Sequence, residues 1–112
     1  MTHPSKRKGD SAELEVQKLL RDMLGVEARR MLGAGRKDDV GDIDGVPNCT
    51  IQVANWQDVT RAVRVKPDEC ETQRQRAATT FAATFVRLRG GVWRVVLTPE
   101  QFATLYREAN DW

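Results

Sequence analysis

The sequence predicts an α/β domain: a mixed central sheet of about five strands flanked by helices. Three observations predict it. Helical and strand-like patterns follow one another as helix, three strands, helical segment, two strands, helix. The run Cys49 to Ala54 is β-branched, mostly apolar and bounded by turn residues, which suits a central strand. The chain has 112 residues, the scale of one domain with one modest core.

The elements follow in order. Residues 1–9 (MTHPSKRKG) read as a flexible basic arm, with residues 10–112 as the folded domain. Asp10 or Ser11 opens a helix, because Ala12, Val16, Leu19, Leu20, Met23 and Leu24 recur at helical spacing as one apolar face. Gly25 can close it in the left-handed conformation. Val26 to Leu32 predicts a strand, residues 33–41 (GAGRKDDVG) a charged glycine-rich loop, and Ile43 to Val46 a short strand. Pro47-Asn48 then turns a hairpin into the strand Cys49 to Ala54. Residues 57–79 are helical in composition, but proline suits only a first helical turn. Pro67 therefore predicts two helices, about 57–65 and 67–79, the second largely exposed. Phe81 to Leu88 predicts a strand, Gly90-Gly91 a two-residue hairpin turn, and Val92 to Leu97 the returning strand. Thr98, Pro99 and Gln101 occupy the N-cap, N1 and N3 positions of a last helix, where Gln101 can complete a capping box. Phe102, Leu105, Tyr106 and Ala109 form its apolar face.

Composition narrows the function classes. No apolar run approaches the roughly 18 residues of a membrane span. The N-terminus lacks the apolar stretch of a secretory signal, so the expected place of action is the cytoplasm. Cys49, Cys70 and the single histidine, His3, offer no zinc-ligand spacing, and a cytoplasmic setting predicts two reduced thiols. The net charge of +2 does not by itself point to nucleic acid. Arginine, however, supplies 13 of the 18 basic residues, and its planar fork suits phosphate. Arg36, Lys37, Arg61, Arg64, Arg74 and Arg76 are the candidate DNA contacts. Trp93 and Phe85 lie in alternating strands and read as core; Trp56 and Trp112 are candidate partner contacts.

One constellation could carry chemistry. Metal-dependent DNA cleavage needs carboxylates that hold a divalent cation against the scissile phosphate, and usually a lysine near the attacking water. An acid and a lysine two residues apart on a strand share one face. Asp42 lies after the glycine-rich loop at the start of a strand, as a first acid would. The next strand offers Gln52 and Ala54 where the second acid and the lysine are expected. Gln52 can coordinate a cation through its carbonyl oxygen, whereas Ala54 brings no chemistry.

The ordered features Lys8-Gly9, Glu13, Arg29-Arg30, Gly33-Ala34-Gly35, Gly41-Asp42-Ile43, Gly45-Val46-Pro47 and the strand to Asn55 resemble the PD-(D/E)XK nuclease fold. The likeness is to phage-type Holliday junction resolvases, over roughly residues 8 to 109. In that family a strand typically ends E-V-K-N, where this chain has Q-V-A-N. The resemblance implies a restriction-endonuclease-like core, with Asp42 as principal metal ligand and Glu13 as the assisting helical acid. It implies Mg²⁺ as cofactor if the protein is active, and a homo-oligomer matching the two-fold symmetry of a four-way junction. Glu13 also has a plain alternative, as part of a helix-terminal cap with Asp10, and Asp42 as a loop acid beside Asp38, Asp39 and Asp44.

Losing the strand acid and lysine predicts a phage-type protein without cleavage that binds branched or duplex DNA or protein partners. A structural virion subunit at a head–tail connection is one alternative. An active Mg²⁺-dependent nuclease, rescued by Lys66, Glu69 or Glu71 of the following helical segment, is the other. The expected location is then the host cytoplasm, or the virion for a structural subunit.

Overall fold

The computed structural model describes the backbone of residues 4–31 and 39–112, and side chains over 11–31 and 39–112. Five strands lie side by side in chain order: β1 (Arg29–Arg30), β2 (Ile43–Asp44), β3 (Cys49–Ala54), β4 (Phe81–Leu88) and β5 (Val92–Val96). All neighbours are antiparallel except β3 and β4, which run parallel with Cys49 opposite Phe81 and Ala54 opposite Val86. Parallel neighbours need a crossover, and α2 (Val59–Ala77) supplies it. The fold is α/β with a mixed five-stranded sheet flanked by helices, as the sequence predicts; among the described residues there are three α-helices. Among the described residues no helix is long and apolar enough to cross a membrane.

The helices form two layers. From α1 (Pro4–Leu24), Val16 and Leu20 pack with Ile43 and Ile51 on one face of the sheet. From α2, Ala62 packs with Ala54 and Val86 on the other. Alternation along β3 thus sends Ile51 toward α1, and Thr50, Gln52 and Ala54 toward α2. Cys49 lies with the α1 layer and Cys70 belongs to α2; both are free thiols.

Several boundaries differ from the sequence expectation. The first helix opens at Pro4, because proline suits a first turn and the Lys- and Arg-rich run after it favours helix. Residues 4–9 belong to this helix, residues 1–3 lie outside the described residues, and Glu13 sits inside the helix rather than at its cap. Of the strand expected over 26–32, the described residues hold only Arg29–Arg30 as strand, while residue 32 and residues 33–38 of the expected loop lie outside the described residues. Side chains of α1 take backbone groups on either side: Arg21 Nε donates to the Ala28 carbonyl at 2.7 Å, and Gln17 Oε1 accepts the Arg30 N–H at 2.9 Å.

The helical segment is one helix, not two, with Pro67 inside it and buried. Proline's missing N–H removes one helical hydrogen bond, but turns on both sides persist because this face is buried against the sheet. That face carries Ala62, Pro67, Cys70 and Gln73, small and polar residues that hide the periodicity from a hydrophobicity reading. The β4–β5 connection has three residues, Arg89–Gly91, with Gly90 and Gly91 at φ 80° and 76°. In α3 (Pro99–Ala109) the Thr98 Oγ1 accepts the Gln101 N–H at 3.1 Å, as expected. Gln101 does not return the bond. Its Oε1 instead accepts the Ala82 N–H at 3.1 Å, while Nε2 donates to the Thr80 carbonyl at 3.2 Å. Gln101 is thereby the buried residue of α3, and the expected apolar face is exposed, Phe102 by 58%.

Gly45 holds the β2–β3 hairpin close to the chain after α1. Its φ is +91°, and a Cβ there would lie 2.3 Å from the Glu27 carbonyl oxygen. We predict that Gly45→Ala destabilises the fold by about 3 kcal/mol, read as a fall in urea midpoint at unchanged slope.

Candidate functional site

Asp42 immediately precedes β2 and is pinned to its neighbours by backbone and side chain. Its N–H donates to the Ile51 carbonyl at 2.8 Å, and its carbonyl accepts the Met31 N–H at 2.8 Å. Its Oδ2 accepts the Val53 N–H at 2.8 Å. The approach depends on Gly41, whose φ is +110° and where a Cβ would lie 3.0 Å from Ile51 O and Thr50 Cγ2.

The α2 face opposite β3 is polar at this level. Glu69 Oε2 accepts from Gln52 Nε2 at 3.4 Å and from Lys66 Nζ at 3.0 Å. The Lys66 side chain is 17% exposed, with its ammonium 4.9 Å from the centroid of the Trp56 ring. Arg61 approaches the same ring at 5.9 Å. One turn further along α2, Gln73 Nε2 donates to Asp39 Oδ2 at 2.8 Å.

These groups share one electrostatic environment. Burial raises the Asp42 pKa above its ordinary 3.8 and is the largest cause. The Val53 N–H and the Lys66 charge oppose that rise, while Asp39 and Glu69 add to it. Two amide oxygens beside these carboxylates, Gln52 Oε1 and Gln73 Oε1, are buried and have no hydrogen-bond partner. The Thr84 hydroxyl is likewise buried without a partner, and an unsatisfied buried acceptor costs about 1–3 kcal/mol. Among the described residues no three His, Cys, Asp or Glu side chains converge so as to hold a metal ion by themselves. Any cation here would need the amide oxygens as well.

The sequence-derived candidates divide clearly. Asp42, Gln52, Lys66 and Glu69 come together; Ala54 faces the same way but packs against Ala62. Glu71 turns aside, to Arg74 at 3.0 Å and Gln101 at 3.3 Å. Glu13 belongs to the helix on the opposite layer. Arg61, Arg64 and Arg76 are exposed on α2. Arg74 is committed to Glu71 and to the Thr79 carbonyl at 2.9 Å. Arg36 and Lys37 lie outside the described residues.

Asp39 and Gln73 were not singled out from the sequence. The available signal was the spacing of Lys66, Glu69 and Gln73, which places polar side chains along one side of a helix. Comparison with protein-family models, with curated proteins and with solved structures returned no match.

The raised Asp42 pKa gives a stability prediction. A carboxyl whose folded pKa lies above its unfolded value favours folding while protonated, and that contribution is lost as pH rises through the folded pKa. Asp42→Asn, which keeps the neutral shape, should raise the denaturation midpoint at neutral pH. The gain should vanish below pH 3.8, where aspartate is itself protonated. Denaturant melts at the two pH values check this.

Proposed function

We propose that this chain is a nuclease-fold protein of the phage Holliday-junction-resolvase type, acting on branched or duplex DNA. We propose further that its cleavage centre is drawn partly from α2. The observation that carries this reading is the contact of Glu69 with both Gln52 and Lys66, in the charge environment of Asp42. A carboxylate and an ammonium, the two groups missing from β3, stand beside the strand position that lost its acid. The ordered glycine, Asp42 and Gly-Val-Pro features of the sequence support the same reading. Absence of cleavage, which the strand residues alone predict, is the alternative that the experiment below decides.

The buried Gln52 Oε1, which lacks a partner while its Nε2 reaches Glu69, supports a divalent cation as part of this reading. Asp42, Glu69 and Gln52 Oε1 would hold it. Such an ion supplies charge neutralisation at a scissile phosphate. Lys66, held between Glu69 and Trp56, presents its ammonium to a phosphate oxygen or to the attacking water. Asp42 is half-buried, and this partial desolvation strengthens the charge interactions around it. The exposed Arg61 and Arg64 on α2 would bind the DNA backbone, so affinity should fall steeply with salt.

A labelled four-way junction incubated with Mg²⁺ or Mn²⁺ tests the reading, with binding recorded in the same gels. The wild-type chain should cut, and Asp42→Asn and Lys66→Ala should each slow cutting by about 100-fold or more while junction binding persists. Binding without cutting by the wild type would make the protein a silenced nuclease. A chain that neither binds nor cuts would leave only the architecture.

A second reading, a structural subunit of the phage particle, is favoured by one observation. Phe102, Tyr106 and Trp112 meet in sequence, the first pair tilted and the second edge-on, at 5.9 and 5.8 Å between centroids, and all are exposed, Trp112 by 78%. Exposed aromatic clusters of this kind mark contact surfaces. Presence of the chain in purified particles would support it.

A further inference from the structure

Trp56 lies in the link of residues 55–58 between β3 and α2, at the carboxyl end of the parallel β3–β4 pair, where open α/β sheets commonly bind their ligands. Its ring is half-buried and packs against the Ala54, Ala62 and Val86 cluster, so the core fixes its place. Two cations share that ring. The Lys66 ammonium stands 4.9 Å from the centroid and the Arg61 guanidinium carbon 5.9 Å, close enough for the indole to attract both charges. Their other partners differ. Lys66 is paired with Glu69 at 3.0 Å and is largely shielded. Arg61 is exposed, and among the described residues no carboxylate pairs with its guanidinium. Asp58 Oδ1 accepts the Arg61 N–H at 3.0 Å, which fixes the first turn of α2 beneath it. A long exposed side chain without a partner samples many rotamers, and here the ring restricts them. Arg64, also exposed, has no ring beneath it among the described residues.

We propose that Trp56 is a positioning residue for nucleic acid, whose ring holds Arg61 outward and Lys66 inward as one phosphate-binding pair. A DNA strand approaching Glu69 along α2 then meets Arg61 first and Lys66 second. The proposal rests on the reading that the chain acts on DNA, and adds to it which cations are ordered before the DNA arrives. Trp56 brings no charge of its own and acts through the two cations. A guanidinium already held in place loses less freedom on meeting a phosphate, so Arg61 contributes more affinity than the equally exposed Arg64.

Binding of the full chain to a four-way junction without divalent cation, measured over a range of salt, tests this. Trp56→Leu keeps the net charge, yet should flatten the salt dependence by about one phosphate contact and weaken binding by about ten-fold at low salt. Trp56→Phe, which keeps a ring, should restore most of the loss. Arg61→Gln should cost little more in the Trp56→Leu background, whereas Arg64→Gln should cost the same with or without Trp56→Leu. An unchanged salt dependence in Trp56→Leu, or losses from Trp56→Leu and Arg61→Gln that add in full, overturns the proposal. Nuclear magnetic resonance of the free chain separates this from the DNA reading. The side-chain methylene protons of Arg61 and Lys66 should be displaced by the indole ring current and return toward ordinary positions in Trp56→Leu. Absence of that displacement in a chain that binds DNA overturns the proposal and leaves the DNA reading standing. Displacement in a wild-type chain that binds no DNA overturns the DNA reading, and the phosphate role of the pair with it.

Discussion

The parallel pairing of β3 with β4 governs the rest of the molecule. Two parallel neighbours cannot be joined by a hairpin, so the chain between them must cross the sheet, and α2 is that crossing. Once α2 lies over β3, its residues at helical spacing face the inward side chains of that strand. Small residues make the approach close, with Ala62 against Ala54 and Cys70 buried against the sheet. The same closeness leaves no room for a long side chain at position 54. Further along the helix Lys66 and Glu69 pair at 3.0 Å.

The polar end of this contact is a balance of buried charge. Asp42 is pinned by the Val53 N–H yet desolvated, and flanking carboxylates work against its ionisation. Lys66 offsets part of that cost while itself held by Glu69 and the Trp56 ring. The side-chain oxygens of Gln52 and Gln73 remain unpaired. Groups of this kind cost stability, and perturbed carboxylates are commonest at functional sites.

The fold was legible where side-chain pattern and backbone chemistry agreed. The β-branched run at β3, the Pro47-Asn48 turn and the Thr98-Pro99 helix start all behave as their residues dictate. Reading failed where a buried surface is polar or small. Gln73, Gln101 and Cys70 occupy inward positions that a hydrophobic pattern assigns to Leu or Val, so α2 looked exposed and broken at Pro67. The converse error fell on α3, whose aromatic stripe resembles a core face but lies outward because Gln101 anchors the helix. At the site, Asp42 could be found from its place after a glycine loop. That Glu69 reaches Gln52 depends on the crossover geometry, which no local pattern contains.

The central claim is that Glu69 stands in for the missing acid at position 52, and a reciprocal exchange tests it most directly. Gln52 and Glu69 touch at 3.4 Å and differ by one group, so the swap Gln52→Glu with Glu69→Gln is nearly isosteric. Divalent-dependent junction cleavage should fall in Glu69→Gln alone and return when Gln52→Glu is added, because the carboxylate then reaches the same place from the strand. Undiminished cleavage in Glu69→Gln, or a swapped chain as inactive as that single variant, would contradict the account.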